Sequence, residues 1–397
     1  MTLPMPPKSL FSRGPLSDTA SDFAAVKSQW QDPSDILSIL TIIGGDIIQS
    51  ALAQLVSSRP QPFTPVAFSF GWVAYSFSAT LAAIGSRRLL PEPDCSCTLI
   101  DVSSQYPRDI KSWVLARLVR DYEAPVANTG GLTVAFFRTS SYKKTGVPDR
   151  DWVYYTGALV ILMQLAIAAI PGALYGNWNI LIVTFGGILL AQVQAALPQW
   201  RKELWAARPV PHDKREVVCI TKGNGSPFVL VVISDGCGLR LGDLAGGREV
   251  PSPSTVPMTF LLVVLWLVHL FTVQGIKDNS WYLLAVGAIG MLQNAVASGA
   301  RRKPGALGFH LDLEEEIHDK KVFVALQKAE EREKKVGLAL VDVFFPGGLR
   351  PSEEKWKQDT LARYAAQKKL RDEDTFSGKV PVNDQEILTE QGGLAKT

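Results

Sequence analysis

The chain carries six long apolar stretches almost empty of charge: 36–56, 66–86, 153–176, 179–197, 257–276 and 280–299. Asp46 is the one Asp, Glu, Lys or Arg inside them, although charged residues make up 20% of the 397-residue chain. Charge so thoroughly set aside points to membrane-crossing helices, since about 20 apolar residues span the ~30 Å hydrocarbon layer. Bulk averages hide the pattern: hydrophobic residues are 47% and mean hydropathy is only +0.10. The reading is a mainly α fold, a six-helix transmembrane bundle of three helical hairpins. A small cytoplasmic α/β appendage, built from two long loops and the C-terminal tail, is expected with it.

Basic residues set the expected sides. Apart from Arg59 and Lys277, every Lys and Arg lies in the N-terminal tail, in 87–152, in 198–256 or after 300. Cytoplasmic connections collect such residues, so both termini and both long loops are expected in the cytoplasm. The organelle is left open. The expected divisions are a disordered cytoplasmic tail (1–35), hairpin 1 (36–86), a loop with strands and one amphipathic helix (87–152), and hairpin 2 (153–197). A loop with a β-hairpin (198–256), hairpin 3 (257–299), a charged helical tail (300–371) and a disordered end (372–397) follow. Pro60, Pro62 and Pro65 stiffen an expected outer connection at 57–65. Span one carries Gly44, Gly45, Asp46, Gln49 and Gln54. It reads as a full span packed inside the bundle, with a re-entrant or interfacial segment as the alternative.

The polar segments have local order. Residues 97–102 and 131–138 read as strands, and 108–123 as an amphipathic helix. Residues 216–222 and 228–234 flank Gly223-Asn224-Gly225-Ser226-Pro227, a hairpin signal. Glu314-Glu315-Glu316 is expected to open a mixed-charge helix reaching about Lys335, by the helix-dipole preference for acid first. Residues 336–345 can be a strand, and Ser352 can cap a second charged helix to about Arg371.

Chemistry is less legible. A carboxylate in a span is costly and by default finds a partner or a task, which singles out Asp46. The plainer reading is a buried, hydrogen-bonded structural group. His269 lies in span five and can pair with Asp46 as a proton relay, or simply bond a carbonyl. Gln49, Gln293 and Asn294 complete a candidate intramembrane polar site. With Gln54, Gln164, Gln192, Gln194 and Gln274 they either line a path or hold helices together. Cys95, Cys97, Cys219 and Cys237 lack zinc-knuckle spacing. His310 and His318 read as part of a solvated helix start. Lys222–Ser226 lacks the phosphate-loop order, and a hairpin turn explains it. No catalytic, metal or cofactor motif appears, so no cofactor is expected and an enzyme has least support. The net charge of +3 gives no argument for nucleic acid.

Several strings taken together resemble a family of multi-pass membrane proteins from filamentous fungi. They are Gly44-Gly45-Asp46-Ile47-Ile48-Gln49, residues 64–75, Leu197-Pro198-Gln199-Trp200-Arg201, Thr221-Lys222-Gly223-Asn224-Gly225 and Gly290-Met291-Leu292-Gln293-Asn294. The resemblance covers roughly Asp32 to Glu354; it implies membrane residence and brings no catalytic residues. The expected partners are the lipid bilayer and a cytoplasmic protein bound through the loops and tail. The leading expectation is a membrane-anchored scaffold or accessory protein. The alternatives are a small transporter or channel using Asp46, then a membrane enzyme.

Overall fold

The computed structural model describes residues 44–86, 88–122, 130–250 and 252–376. The expected N-terminal tail, most of the expected disordered end and the start of the first apolar stretch lie outside them. The described chain begins with helix α1 (Gly45–Leu55), a run without regular structure over 56–71, and helix α2 (Trp72–Ile84). Strands β1 (Thr98–Asp101) and β2 (Tyr106–Asp109), helix α3 (Trp113–Asp121) and strand β3 (Leu132–Thr139) follow. Next come helices α4 (Trp152–Tyr175), α5 (Asn179–Ala195) and α6 (Pro198–Leu204), then strands β4 (Arg215–Thr221) and β5 (Phe228–Asp235). Short α7 (Leu241–Ala245) leads to α8 (Thr255–Gln274), α9 (Ser280–Gly299), one-turn α10 (Pro304–Leu307) and strand β6 (Leu311–Asp319). Helices α11 (Val322–Arg332), α12 (Val336–Phe344) and α13 (Pro351–Phe376) complete it.

The expected six-helix transmembrane bundle is not what forms. Among the described residues three helices, α4, α8 and α9, are long and apolar enough to cross a membrane. A fourth crossing exists only if α5 and α6, bent by 44°, count as one span. Within the described residues the first two apolar stretches hold helices of 11 and 13 residues, short of the ~20 a crossing needs. Much of their apolar character has another cause, burial in protein, although Phe77, Leu81 and Ile84 of α2 are exposed. Ile48, Leu52, Ala67, Phe68 and Trp72 are all at or near zero exposure. Hydrophobicity alone cannot separate a core segment from a lipid-facing one.

The connection 57–65 is also not remote from the polar layer. Ser58 donates its backbone N–H to Gly146 O (2.8 Å), beside Gly308 and Trp205. From there 64–70 runs into the bundle without regular structure, and α2 leads back out toward Arg88. Arg88 donates to Lys111 O (3.3 Å) just ahead of α3. Residues 58–88 thus make a re-entrant excursion, and no spanning hairpin forms among the described residues. Helix packing closes around it: α8 packs on α2 and α5, α4 on α5 and α9, and α1 on α2 and α9.

The rest of the core is a six-stranded mixed sheet in the order β2-β1-β4-β5-β3-β6. Strands β3 and β5 are parallel (Phe136 opposite Val231), and every other pair is antiparallel. Both faces are covered, which is why β3 and β5 read as near-continuous apolar runs. Val134, Phe136, Val229 and Val231 face one way, toward Ala325 and Leu326 of α11 and Leu340 and Val341 of α12. Ala135, Phe137, Leu230 and Val232 join Trp113 and Leu118 of α3 in a core that continues into the bundle. The sheet is therefore no small appendage but one wall of the main core. Two tail expectations also change. Glu314–Glu316 lie in β6, where Glu316 pairs with Ala135, so cross-strand pairing outweighs the helix-dipole preference. Residues 336–344 form α12 rather than a strand, because that apolar run packs on α11. Helix α13 runs through Phe376, past the expected end at Arg371.

Candidate functional site

Residues 64–70 put backbone without regular structure at the middle of the bundle, where each unpaired N–H or C=O is expensive. Side-chain amides supply the missing partners. Gln192 of α5 accepts from Thr64 N (2.9 Å) and donates to Thr64 O (2.8 Å). Asn294 of α9 does the same for Ala67, at 3.0 and 2.9 Å, and reaches Ser69 Oγ at 3.3 Å. Gln164 of α4 donates to Phe68 O (2.6 Å) and to Val286 O of α9 (2.8 Å). Gln192 and Asn294 each imitate a neighbouring strand by offering one donor and one acceptor in the right sense, whereas Gln164 gives only its N–H groups.

Close approach requires small residues. A Cβ on Gly290 would lie 1.8 Å from Phe68 O, and one on Gly157 would lie 2.3 Å from Pro65 O. Gly187 and Gly287 leave room for the rings of Phe68 and Phe70. The space around the segment is filled by rings. Trp266 stacks on Trp72 (5.8 Å) and Phe68 (6.3 Å), and Trp266 Nε1 donates to Gln194 Oε1 (2.7 Å).

The sequence-derived site residues are not brought together. Asp46 is exposed in the first turn of α1, not buried in mid-span, and makes no ion pair among the described residues. His269 of α8 meets the edges of Phe68 and Trp266 at 5.5 Å, and its Nε2 is buried without a hydrogen-bond partner. Gln49 donates to Leu89 O (2.8 Å) and Gln293 to Thr156 Oγ1 (3.2 Å). Asn294 is committed to Ala67. The Asp46–His269 relay therefore has no bond to run through, and the central amides bind backbone rather than line a path.

A second constellation joins the bundle to the sheet layer, and sequence reasoning missed it. The last carbonyls of α9 have no intrahelical partners, and two arginines of α3 take them. Buried Arg117 donates to Ser298 O and Asp94, and Arg120 reaches Gly299 O (3.3 Å) and Asp94 (3.1 Å). Their positive charge also suits the negative end of the α9 dipole. Arg302 makes a two-pronged pair with Asp151 (2.8 Å each), while its N–H donates to Asp121 (3.1 Å) and its guanidinium to Gln54 O. Asp151 also caps α4 by accepting from Tyr154 N. Burial pulls the Arg117 guanidinium below its ordinary value, with the Asp94 hydrogen bond opposing it. The one sequence signal was Arg301-Arg302-Lys303 after α9, which reads equally well as a topology marker.

Other candidates are dispersed. Among the described residues no group of three or more His, Cys, Asp or Glu is set to hold a metal ion. Cys219 is buried in β4, and Cys237 donates to Thr139 O (3.4 Å), each apart from Cys95 and Cys97. Lys222–Ser226 is the turn between β4 and β5, with Gly223 and Gly225 at positive φ. His310 follows α10 and bonds Val147 O (2.9 Å), and His318 lies in β6 beside Thr133 Oγ1 (3.1 Å). An open cavity of about 680 Å³ lies where α1 and α2 meet the polar layer, lined by Gln49, Ser86, Arg88, Glu92 and Glu249 among others. Neither a protein-family model, nor a curated protein, nor a solved structure matches the chain.

Proposed function

We propose that the chain is a multi-pass membrane protein that carries its sheet layer on one face of the bilayer as a platform for a protein partner. One observation carries this reading: the apolar excursions leave from the sheet layer and return to it. Helices α4 and α5 run between β3 and β4, α8 and α9 between β5 and β6, and the re-entrant segment precedes β1. Leu162, Ile182, Phe260 and Phe271 expose 63–74% of their surface on the helices, a belt that lipid would cover. Trp152 and Tyr155 ring its sheet end, and Tyr175, Trp178 and Trp281 its far end, as aromatic residues do at both interfaces. The Lys and Arg of the sheet layer favour the cytoplasm for that side. The platform is stiff, because its core continues into the bundle and the Arg117–Arg302 joint clamps the two. Helix α13 leaves the sheet beyond Tyr364 with a charged surface suited to a partner.

The test uses single introduced cysteines at positions 177 and 225, with native cysteines replaced, in sealed membranes. Labelling from opposite sides is expected; labelling of both from one side overturns the topology. Cross-linking through α13 should capture a partner that is lost when 351–397 are deleted. An unchanged cross-linking pattern in that variant ends the platform reading.

A second reading, transport, rests on the re-entrant excursion itself. The N-terminal end of α2 lies deep in the bundle, and half-helix ends at depth are how many transporters meet ions. Asp46 begins the neighbouring α1. Proton-driven flux in proteoliposomes that falls with Asp46→Asn at normal abundance would favour it; flux indifferent to that change removes it.

A further inference from the structure

Cys95 and Cys97 stand just ahead of β1, where the chain bends toward the sheet. Each is tied to a different neighbour. Cys95 Sγ donates to Ala116 O of α3 (3.3 Å), and Cys97 O accepts from Ile110 N (3.0 Å), after β2. They are two residues apart on the run into β1 with exposed Ser96 between them, so both side chains leave the same face of the chain, and the Cys97 thiol acts on Cys95 as a hydrogen-bonding neighbour. Access is unequal: Cys97 is buried at 3% exposure, whereas Cys95 is partly open.

We infer that Cys95 and Cys97 are a redox-active thiol pair that closes to a disulfide by exchange with a small-molecule disulfide. The Cys95 thiolate attacks one sulfur of that disulfide, forming a mixed disulfide and releasing the first thiolate. Cys97 then gives up its proton and attacks Cys95 Sγ, expelling the second thiolate. The protein loses two electrons and two protons, and one small-molecule disulfide becomes two thiols.

The order of attack follows from the surroundings. The hydrogen bond from Cys97 brings the Cys95 thiol down to about 7; burial opposes it, Lys222 and Arg120 assist, and Asp94 opposes. Cys97 is pushed up, first by that shared hydrogen bond and then by burial. Cys95 is thus the nucleophile and Cys97 the resolving thiol. A bridge across one intervening residue gains little from loop closure, so it suits reversible use. Asp94, next in the chain, holds Arg117 and Arg120, so closure pulls directly on the joint beneath α9.

The test treats the full-length protein in lipid nanodiscs with mixtures of reduced and oxidised glutathione, then alkylates and maps peptides by mass. The expected result is a peptide holding both cysteines, unalkylated and lighter by two hydrogen masses, reversed by reductant. Cys97→Ser should trap a glutathione adduct on Cys95, and Cys95→Ser should leave Cys97 without one. Buried Cys219 serves as the folding control, since it should resist alkylation until denaturation; Cys95→Ala replaces Cys95→Ser if that control fails. Full alkylation of both cysteines at every glutathione ratio overturns the proposal, as does an adduct that persists on wild-type Cys95 without closing. Hydrogen exchange over 113–121 should rise in the bridged form, and unchanged exchange overturns the link to the joint.

Discussion

The sheet and the re-entrant segment meet the same backbone demand by opposite means. In the sheet, β5 is paired on both sides by other strands, β4 and β3, so its ladder depends on backbone alone. In the segment, Thr64, Ala67 and Phe68 depend on the amides of Gln192, Asn294 and Gln164, with Trp72 Nε1 as a second donor to Ala67 O. A ladder distributes its risk, whereas an amide cradle concentrates it. The bundle should therefore be far more sensitive than the sheet to single polar substitutions.

The largest expected effect is Asn294→Leu. It strips the Ala67 N–H and the Ser69 hydroxyl of their Asn294 partner in a dry interior, at about 1–3 kcal/mol per stranded group, so about 4 kcal/mol in sum, while Ala67 O keeps the Trp72 Nε1 donor. Thermal unfolding in nanodiscs, followed by fluorescence of the buried tryptophans, should reveal it. A midpoint near wild type would mean the cradle is dispensable. Gly290→Ala should come next, at about 3 kcal/mol, because its new methyl meets backbone rather than a flexible side chain. Gly299→Ala is the control, since nothing lies within 4 Å of the added carbon; equal destabilisation of the two would refute the steric account.

In the sheet, Thr133→Val removes a side-chain bond to His318 but leaves the Thr133 N–H on Pro227 O. The expected cost is about 1 kcal/mol, read from hydrogen exchange of β3 and β5. A loss matching Asn294→Leu would erase the contrast drawn here.

The smallest effect is acid sensitivity at the sheet edge. The Arg138 hydrogen bond holds the Glu314 carboxyl below its ordinary value, with Arg332 and Arg215 adding to it. A carboxylate depressed in the folded state contributes stability above its unfolded value and loses it as pH falls through the folded one. Exposure and screening keep the contribution small. Melting of β6 should drop slightly below about pH 4, and Arg138→Gln should flatten that drop; an unchanged acid profile in the variant would discard Glu314 as the cause.

The same contrast explains what the amino-acid sequence made legible. The β4–β5 hairpin was readable because runs rich in Val and Ile flank a Gly-Asn-Gly turn, both local signals. The apolar lengths of α4, α8 and α9 were readable for the same reason. The re-entrant segment was not, because its apolar residues are covered by protein and the pattern is identical to one covered by lipid. Pro60, Pro62 and Pro65 did mark a break in helix, but not the side on which it lies. Gln164, Gln192 and Asn294 stood out as polar groups in apolar helices. Their partners are backbone atoms more than 95 residues away, and nothing in the spacing names them. Asp46 drew attention through its charge, and that rested on burial among the helices, whereas its side chain is exposed in the first turn of α1.

The cradle also has a consequence for biosynthesis. Residues 64–70 leave the ribosome before α4, α5 and α9, which hold every amide that satisfies them. During that interval the segment has neither a helical backbone nor its partners, so it cannot settle alone in lipid. Its final position is reached only after α9 has been made, which orders assembly from the later helices back to the earlier segment. Chains arrested before α9 should expose this stretch to protease or to a chaperone that shields apolar segments, and completed chains should not.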